Sequence, residues 1–145
     1  MIREYQKDDL DVILDLWLDT NRTVHDFIPS DYWENCYGMV KKMLPESTVY
    51  VCEEEGTIRG FVGLTDNYVA GLFVDKTCRS KGVGKALLNY AKERNDTLFL
   101  YVYKENSRAV KFYLREGFSA FNERPDENTG HTQIRMEWEK GRGVV

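Results

Sequence analysis

Histidine, cysteine and proline are scarce in this 145-residue chain, at two, three and three copies. The three cysteines, Cys36, Cys52 and Cys78, form no close pair, which excludes a disulfide-stapled scaffold and a Cys-x-x-Cys motif. Separated thiols of odd number are expected in a reducing cytoplasm. His25 and His131 lie far apart with no cysteine pair beside either, so no metal site is expected. Long apolar runs are missing as well. The longest is the seven residues from Tyr68 to Val74, against about 20 for a membrane-spanning helix. The polar start (Arg3, Glu4, Gln6, Lys7) predicts no secretory signal. Positive charge is not in excess: 20 basic against 24 acidic residues leave a net charge of −4. That argues against nucleic-acid or anionic-membrane partners, which select basic surfaces. No linker-like tract or internal repeat divides the chain, so one domain over residues 1–145 is expected.

What is present is a well-patterned core composition, 42% apolar and 13% aromatic. Ile2 to Tyr5 reads as a short strand. Asp8, with Asp11 three residues on, predicts the cap of a helix carrying Leu10, Ile13, Leu14 and Trp17 at helical spacing. A second helix is predicted from an Asp31/Glu34 capping box, with Tyr32, Cys36, Met39, Val40 and Met43 as its buried stripe before Pro45. Strands follow at Thr48 to Cys52 and Ile58 to Leu64, around a turn from Glu53 to Thr57, and then at Tyr68 to Val74. From Gly82 the period becomes helical, with Val83, Ala86, Leu87, Tyr90 and Ala91 on one face. Thr97 to Val102 is a further strand. Asn106 caps a helix bearing Ala109, Val110, Phe112 and Tyr113 that stops at Gly117. Phe118 to Phe121 and the alternating Ile134, Met136 and Trp138 close the pattern as two strands. The order β-α-α-β-β-β-α-β-α-β-β predicts an α/β fold with a mixed sheet.

The segment from Leu72 to Ala86 runs a buried strand into a basic, glycine-bearing loop that opens an amphipathic helix. Unpaired N–H groups at a helix start, aided by the macrodipole, bind phosphate oxygens. Lys76, Arg79, Lys81 and Lys85 place four positive charges within ten residues of an otherwise acidic chain. A Walker loop would need Gly at the position of Arg79 and Ser or Thr at that of Ala86. A dinucleotide fingerprint from Gly82 and Gly84 would need Gly or Ala in place of Leu87. Neither fits. A pattern Arg/Gln-x-x-Gly-x-Gly/Ala is satisfied by Arg79, Gly82 and Gly84, and there the chain resembles the GNAT superfamily of acyl-CoA-dependent N-acetyltransferases.

A second segment, Asn106 to Phe118, is similar to the family's other signature, Asn-x-x-Ala-x-x-Phe-Tyr-x-x-x-Gly-Phe, at every fixed position. It starts 22 residues beyond Gly84, room for one helix and one strand. The resemblance, strongest over residues 48 to 121, implies a single-domain fold with a mixed, mostly antiparallel sheet of about seven strands flanked by about four helices. It implies acetyl-CoA as cosubstrate, no metal, and direct acetyl transfer to a primary amine in a ternary complex. The cosubstrate contacts it implies are Phe73 and Val74 on the strand, Arg79, Ser80, Lys81, Gly82, Val83, Gly84 and Lys85 in the loop and helix start, and Asn106, Ala109 and Tyr113. A backbone N–H near Phe73 or Val74 would face the thioester carbonyl as an oxyanion donor. Tyr113 would be the catalytic acid for the departing thiolate, a phenol of pKa about 10 serving a thiol of about 8.5.

On the acceptor side the family has no fixed base. His25, Asp26 and Phe27 form a polar-aromatic cluster between the first two helices, expected to border the acceptor pocket, with His25 as a candidate base. Asp66 and Glu54 are weaker candidates. The polar segment from Arg124 to His131 is a second candidate pocket edge. Small amines, peptide N-termini and lysines remain open as acceptors, as do a monomer and a homodimer. The alternative function is a catalytically silent acyl-CoA-binding sensor.

Overall fold

The chain starts with a charge pair that ties its first strand to its second. In β1 (Ile2–Glu4), Arg3 donates to both oxygens of Asp9 at 2.8 and 3.0 Å and to Glu53 of β2 (Thr48–Glu54) at 2.8 Å. The structure, a computed structural model, describes residues 1–78 and 81–141. β2 returns through Glu55 and Gly56, at φ 53° and 78°, into β3 (Thr57–Thr65). Positive φ at both turn residues matches the twist of a two-residue hairpin. β3 then pairs antiparallel with β4 (Tyr68–Val74). Completed by β5 (Thr97–Tyr103), β6 (Ser119–Pro125) and β7 (Thr132–Glu139), the seven-stranded sheet runs β1-β2-β3-β4-β5-β7-β6. All neighbours are antiparallel except β4 and β5.

Period-2 alternation sends side chains to two cores, one per face. Helices α1 (Leu10–Val24) and α2 (Ser30–Met43) cover one face, where Ile13, Leu14, Trp17 and Trp33 pack with Val49, Val51 and Phe61. Helices α3 (Val83–Glu93) and α4 (Ser107–Arg115) cover the other, where Leu87, Leu88 and Ala91 are fully buried with Val62, Leu98 and Leu100. A bulge in β4, where Gly71 faces Gly63 but Val69 faces Leu64, leaves Ala70 as the extra residue. It shifts the parity of the strand, so that Val69, Leu72 and Val74 all reach the α3–α4 side while Phe73 turns to α1 and α2. The predicted element order and the mixed seven-stranded, four-helix architecture hold.

Several local expectations give way to tertiary contacts. Asp8 does not cap α1. The chain enters through a short 3₁₀ turn, Lys7–Asp9, and Asp9 is the buried acid that takes the Gln6 N–H at 2.7 Å as well as Arg3. Helix α2 has no Asp31/Glu34 capping box, because Glu34 is drawn across to Arg22 of α1. Trp33 and the following Leu44 are buried, the predicted Tyr32, Cys36 and Val40 pack half-buried beside them, and Met39 and Met43 are 57% and 56% exposed. The large Trp33 ring sets the rotation of the helix and turns the methionines outward. In α3, Leu88 is buried in place of Ala86 for the same reason of bulk. The final hairpin is longer than predicted: Arg124 and Pro125 belong to β6, and the connection is reduced to residues 126–131.

Gly60 is a residue whose role was not apparent from sequence. A Cβ there would lie 2.7 Å from Phe73 O and 3.2 Å from Val83 Cγ1 and Leu87 Cδ1. Its absence lets the first turn of α3 rest directly on β3, which sets where that helix begins.

Candidate active site

β4 and β5 touch in register at Tyr68 opposite Phe99, where Phe99 N–H donates to Asn67 O at 3.1 Å. No further register pair joins them among the described residues, so the strands diverge toward their C-terminal ends. The opening leads to a cavity of about 460 Å³ bounded by the end of α1, the end of β4, the start of α3 and the length of α4.

At one end of the cavity stand Gly82, Gly84 and Lys85. Gly82 occupies the N-cap of α3 at φ 85°, a left-handed conformation that disfavours any side chain. The first N–H groups of α3 have no intrahelical acceptor and bring the positive end of the helix dipole to the cavity. At Gly84 an added Cβ would meet Val74 and Phe112 at 3.5 and 3.6 Å, ordinary contact distances, so what this glycine leaves open is cavity surface. Lys81 is exposed and not among the lining residues, and Val83 points into the core at 5% exposure. Arg79 and Ser80 lie outside the described residues.

Along the wall, Phe73 and Val74 line the cavity from β4, and Asn106, Ala109 and Tyr113 from α4. Asn106 is the N-cap of α4, its Oδ1 accepting from Ala109 N–H at 3.3 Å. Tyr113 is 8% exposed and packs edge-on against Phe112 and Phe118. Burial raises its phenol above the ordinary value of 10, so it is fully protonated at neutral pH. Sequence reasoning passed over Thr20 and Val24, one turn apart on α1, and Cys78 and Arg108, all of which line the cavity. The (i, i+4) spacing of Thr20 and Val24 was the available signal.

His25 was expected to border the acceptor pocket, outside the two cosubstrate motifs in sequence. It lies against one of them. Its Nε2 is 3.3 Å from Asn106 Nδ2, its Nδ1 is 2.9 Å from Asn21 Oδ1, and it lines the same cavity. It caps the C-terminus of α1, and its ring is enclosed by Phe27, Trp33 and Tyr103 at 5.7, 5.6 and 5.1 Å. Burial lowers its pKa from 6.5 to about 4. Asp26 is exposed, and Phe27 is half-buried between Tyr103 and His131. Neither lines the cavity, and Asp66 and Glu54 do not reach it.

Beyond His25 a second group forms. Tyr103 O–H donates to Asp126 Oδ2 at 2.5 Å, and His131 Nδ1 is 2.6 Å from Glu105 Oε1. Asp126 organises the β6–β7 turn, its carbonyl accepting from Thr129 and Gly130 N–H and its Oδ1 from Asn128 N–H. The Tyr32 phenol is pushed up to about 12 by burial and the neighbouring Cys36. Among the described residues no three His, Cys, Asp or Glu side chains gather as a metal cage, and no helix is long and apolar enough to cross a membrane.

The helix start and the divergence of β4 from β5 give one cavity an anion-binding end and an open strand, the arrangement that the resemblance to acyl-CoA-dependent acyltransferases implies. The sequence comparison agrees: residues 12–140 match the acetyltransferase (GNAT) domain family, and the chain belongs to it. It is 38% identical over 120 residues, covering 81% of this chain and 82% of the other, to the peptidyl-lysine N-acetyltransferase YiaC of Escherichia coli strain K12. It is 29% identical over 118 residues to the peptidyl-lysine N-acetyltransferase YjaB of the same strain, covering 81% and 80%. The solution structure of apo-form YjaB from Escherichia coli superposes with a TM-score of 0.84 at 25% identity, covering 95% of this chain and 96% of that one. The fold is also that of yncA from Salmonella typhimurium, solved with its cofactor acetyl-CoA, at a TM-score of 0.68 and 17% identity over 96% and 92% of the chains. The protein is therefore an N-acetyltransferase that uses acetyl-CoA.

Proposed function

We propose that this enzyme acetylates the side-chain amine of lysine in a peptide or protein, by direct transfer within one complex. The observation that carries the reading is the single cavity that joins the start of α3, the open edge of β4 and Tyr113, and ends at His25. Support for lysine as acceptor comes from the two relatives named peptidyl-lysine N-acetyltransferase.

Acetyl-CoA supplies an acyl group activated as a thioester. The residues present fit that cosubstrate: an anion-binding helix start, a narrow wall at Ala109 and a buried hydroxyl. In this reading the α3 N–H groups and Lys85 hold the diphosphate, and Asn106 and Ala109 guide the pantetheine arm. The backbone N–H of Val74, next to Phe73 on β4 and turned away from β3, donates to the developing oxyanion, a contribution typically of a few kcal/mol. Tyr113, protonated at neutral pH, donates to the departing sulfur. The burial that weakens the phenol as an acid raises a thiolate in the same cavity too, so the two stay matched. His25 is not the base here. Its Nε2 is engaged by Asn106, and it takes up a proton only near pH 4. The lysine ammonium is drawn to the acceptor side by Asp126 beside Tyr103, and the amine gives its proton to water, away from that carboxylate, before it attacks the thioester.

The experiment is a thiol-release assay with acetyl-CoA across three acceptor sets: lysine peptides with blocked N-termini, lysine-free peptides with open N-termini, and small polyamines. Turnover is expected with the first set, at the lysine Nζ by mass spectrometry. Turnover confined to either other set overturns lysine as the acceptor.

A further inference from the structure

We propose that His25 is a positioning residue for the cosubstrate, holding the Asn106 carboxamide so that one Nδ2–H faces the cavity. The inference rests on the functional reading above, in that the ligand Asn106 meets is acetyl-CoA. The chain of hydrogen bonds that carries it spans α1 and α4, 81 residues apart at its central link.

Each end of this chain is fixed by a backbone group. At the α4 end, Ala109 N–H donates to Asn106 Oδ1, which identifies the atom facing His25 as the amide nitrogen. An amide nitrogen only donates, so His25 Nε2, at 3.3 Å, must accept. An imidazole with a bare Nε2 carries its proton on Nδ1, and Nδ1 has an acceptor, Asn21 Oδ1 at 2.9 Å. At the α1 end, Asn21 Nδ2 donates to Trp17 O at 2.9 Å, which forbids the flipped amide. Asn21 is 2% exposed, so its amide cannot readily exchange either partner for water. Donor polarity therefore runs one way, from Asn106 through His25 to Asn21, and a single tautomer satisfies it.

The consequence is local and specific. Asn106 has two Nδ2 protons, and one is committed to His25. The other is what Asn106 offers to a ligand carbonyl in the cavity that both residues line. A cap bond alone fixes Oδ1 but lets the amide plane rock about it, and the second anchor at Nδ2 stops that motion. The ring is held in turn by Trp33, Phe27 and Tyr103, so the acceptor-side aromatic cluster aims a cosubstrate contact.

Two measurements test this. The first needs no variant: a nitrogen–proton multiple-bond NMR spectrum of the free protein at pH 7 should show His25 as the neutral Nδ1–H tautomer. An Nε2–H tautomer or an imidazolium overturns the chain. The second is calorimetric titration with acetyl-CoA. His25→Ala should weaken binding about tenfold, the usual worth of one such bond. His25→Gln, whose Oε1 stands where Nε2 was, should restore affinity to within about threefold of the wild type. On an Asn106→Ala background, His25→Ala should have no further effect on affinity. Unchanged affinity in His25→Ala, additive losses, or a glutamine as poor as alanine overturn the proposal. So does a His25→Gln enzyme with intact affinity and a hundredfold loss of kcat, which would make His25 a base. Should wild-type protein fail to bind acetyl-CoA, the functional reading falls, and the imidazole spectrum still judges the chain.

Discussion

The two sides of the candidate site are built by different means. The cosubstrate wall comes from regular elements and short sequence spans: Gly82 to Lys85 in the first turn of α3, and Asn106 to Tyr113 in α4. The proposed acceptor side, of which only His25 lines the cavity, is assembled from single residues far apart in the chain, with His25 after α1, Tyr103 ending β5, Asp126 in the β6–β7 turn and His131 beyond it. One wall is a property of helices and the other of tertiary packing. A generic ligand can be held by repeated backbone geometry, whereas a selective acceptor has to be met by side chains gathered one at a time.

If that division is right, substitutions on each wall should act on separate quantities. The largest effect is expected at Tyr113→Phe, where the ring still packs but the hydroxyl is gone. kcat should fall about 10²–10⁴-fold with acetyl-CoA affinity nearly unchanged, and steady-state kinetics beside calorimetry reads both. A kcat within about twofold of wild type would reduce Tyr113 to packing. Gly84→Asp comes next. The backbone tolerates a side chain there, but a carboxylate about 4 Å from a diphosphate costs about 4 kcal/mol at a partly buried site, near a 10³-fold loss of affinity. Unaltered binding by a folded variant would refute the loop assignment.

The third prediction concerns pH. His25 has a folded pKa depressed to about 4 from 6.5, so its contribution to stability is complete above pH 6.5 and drains away as the pH falls toward 4. The total is about 3 kcal/mol, and urea denaturation from pH 7 to 4 should show that much less acid sensitivity in His25→Gln than in wild type. Equal sensitivity would mean that the imidazole is solvated. The smallest effect is expected at Tyr103→Phe, which removes the bond to Asp126. The acceptor KM should rise about fivefold, roughly 1 kcal/mol, with acetyl-CoA affinity unchanged. Movement of the acetyl-CoA affinity instead would break the proposed separation of the walls.

The same division explains what could be read beforehand. Gly82 and Asn106 were identifiable because a helix start needs their chemistry wherever the helix lies, and the order of elements along the chain followed from periodicity. The Asp31/Glu34 box failed because Arg22 competes for Glu34, and Met39 and Met43 left the α2 stripe, of which Tyr32, Cys36 and Val40 hold, because Trp33 outweighs two methionines. Both outcomes depend on which helix lies alongside. The partnership of His25 with Asn106 had no local sign at all. Only the folding of α1 against the start of α4 brings them within 3.3 Å. The β6–β7 connection shrank because Asp126 closes a turn on its own backbone, taking His131 O at 2.8 Å and leaving Arg124 and Pro125 to the strand.

The divergence of β4 from β5 also bears on motion. Amides of β4 that point away from β3 have solvent in place of a neighbouring strand beyond Tyr68, so in the free protein their protons should exchange quickly although the strand itself is ordered. If the thioester arm lies along that strand as proposed, it would slow the exchange of these amides. At a ligand concentration of 100 times Kd, the protein gains about 2.7 kcal/mol of stability. On the proposed placement, release of the spent arm would free the same amides again, so the protection of this strand would rise and fall with every turnover.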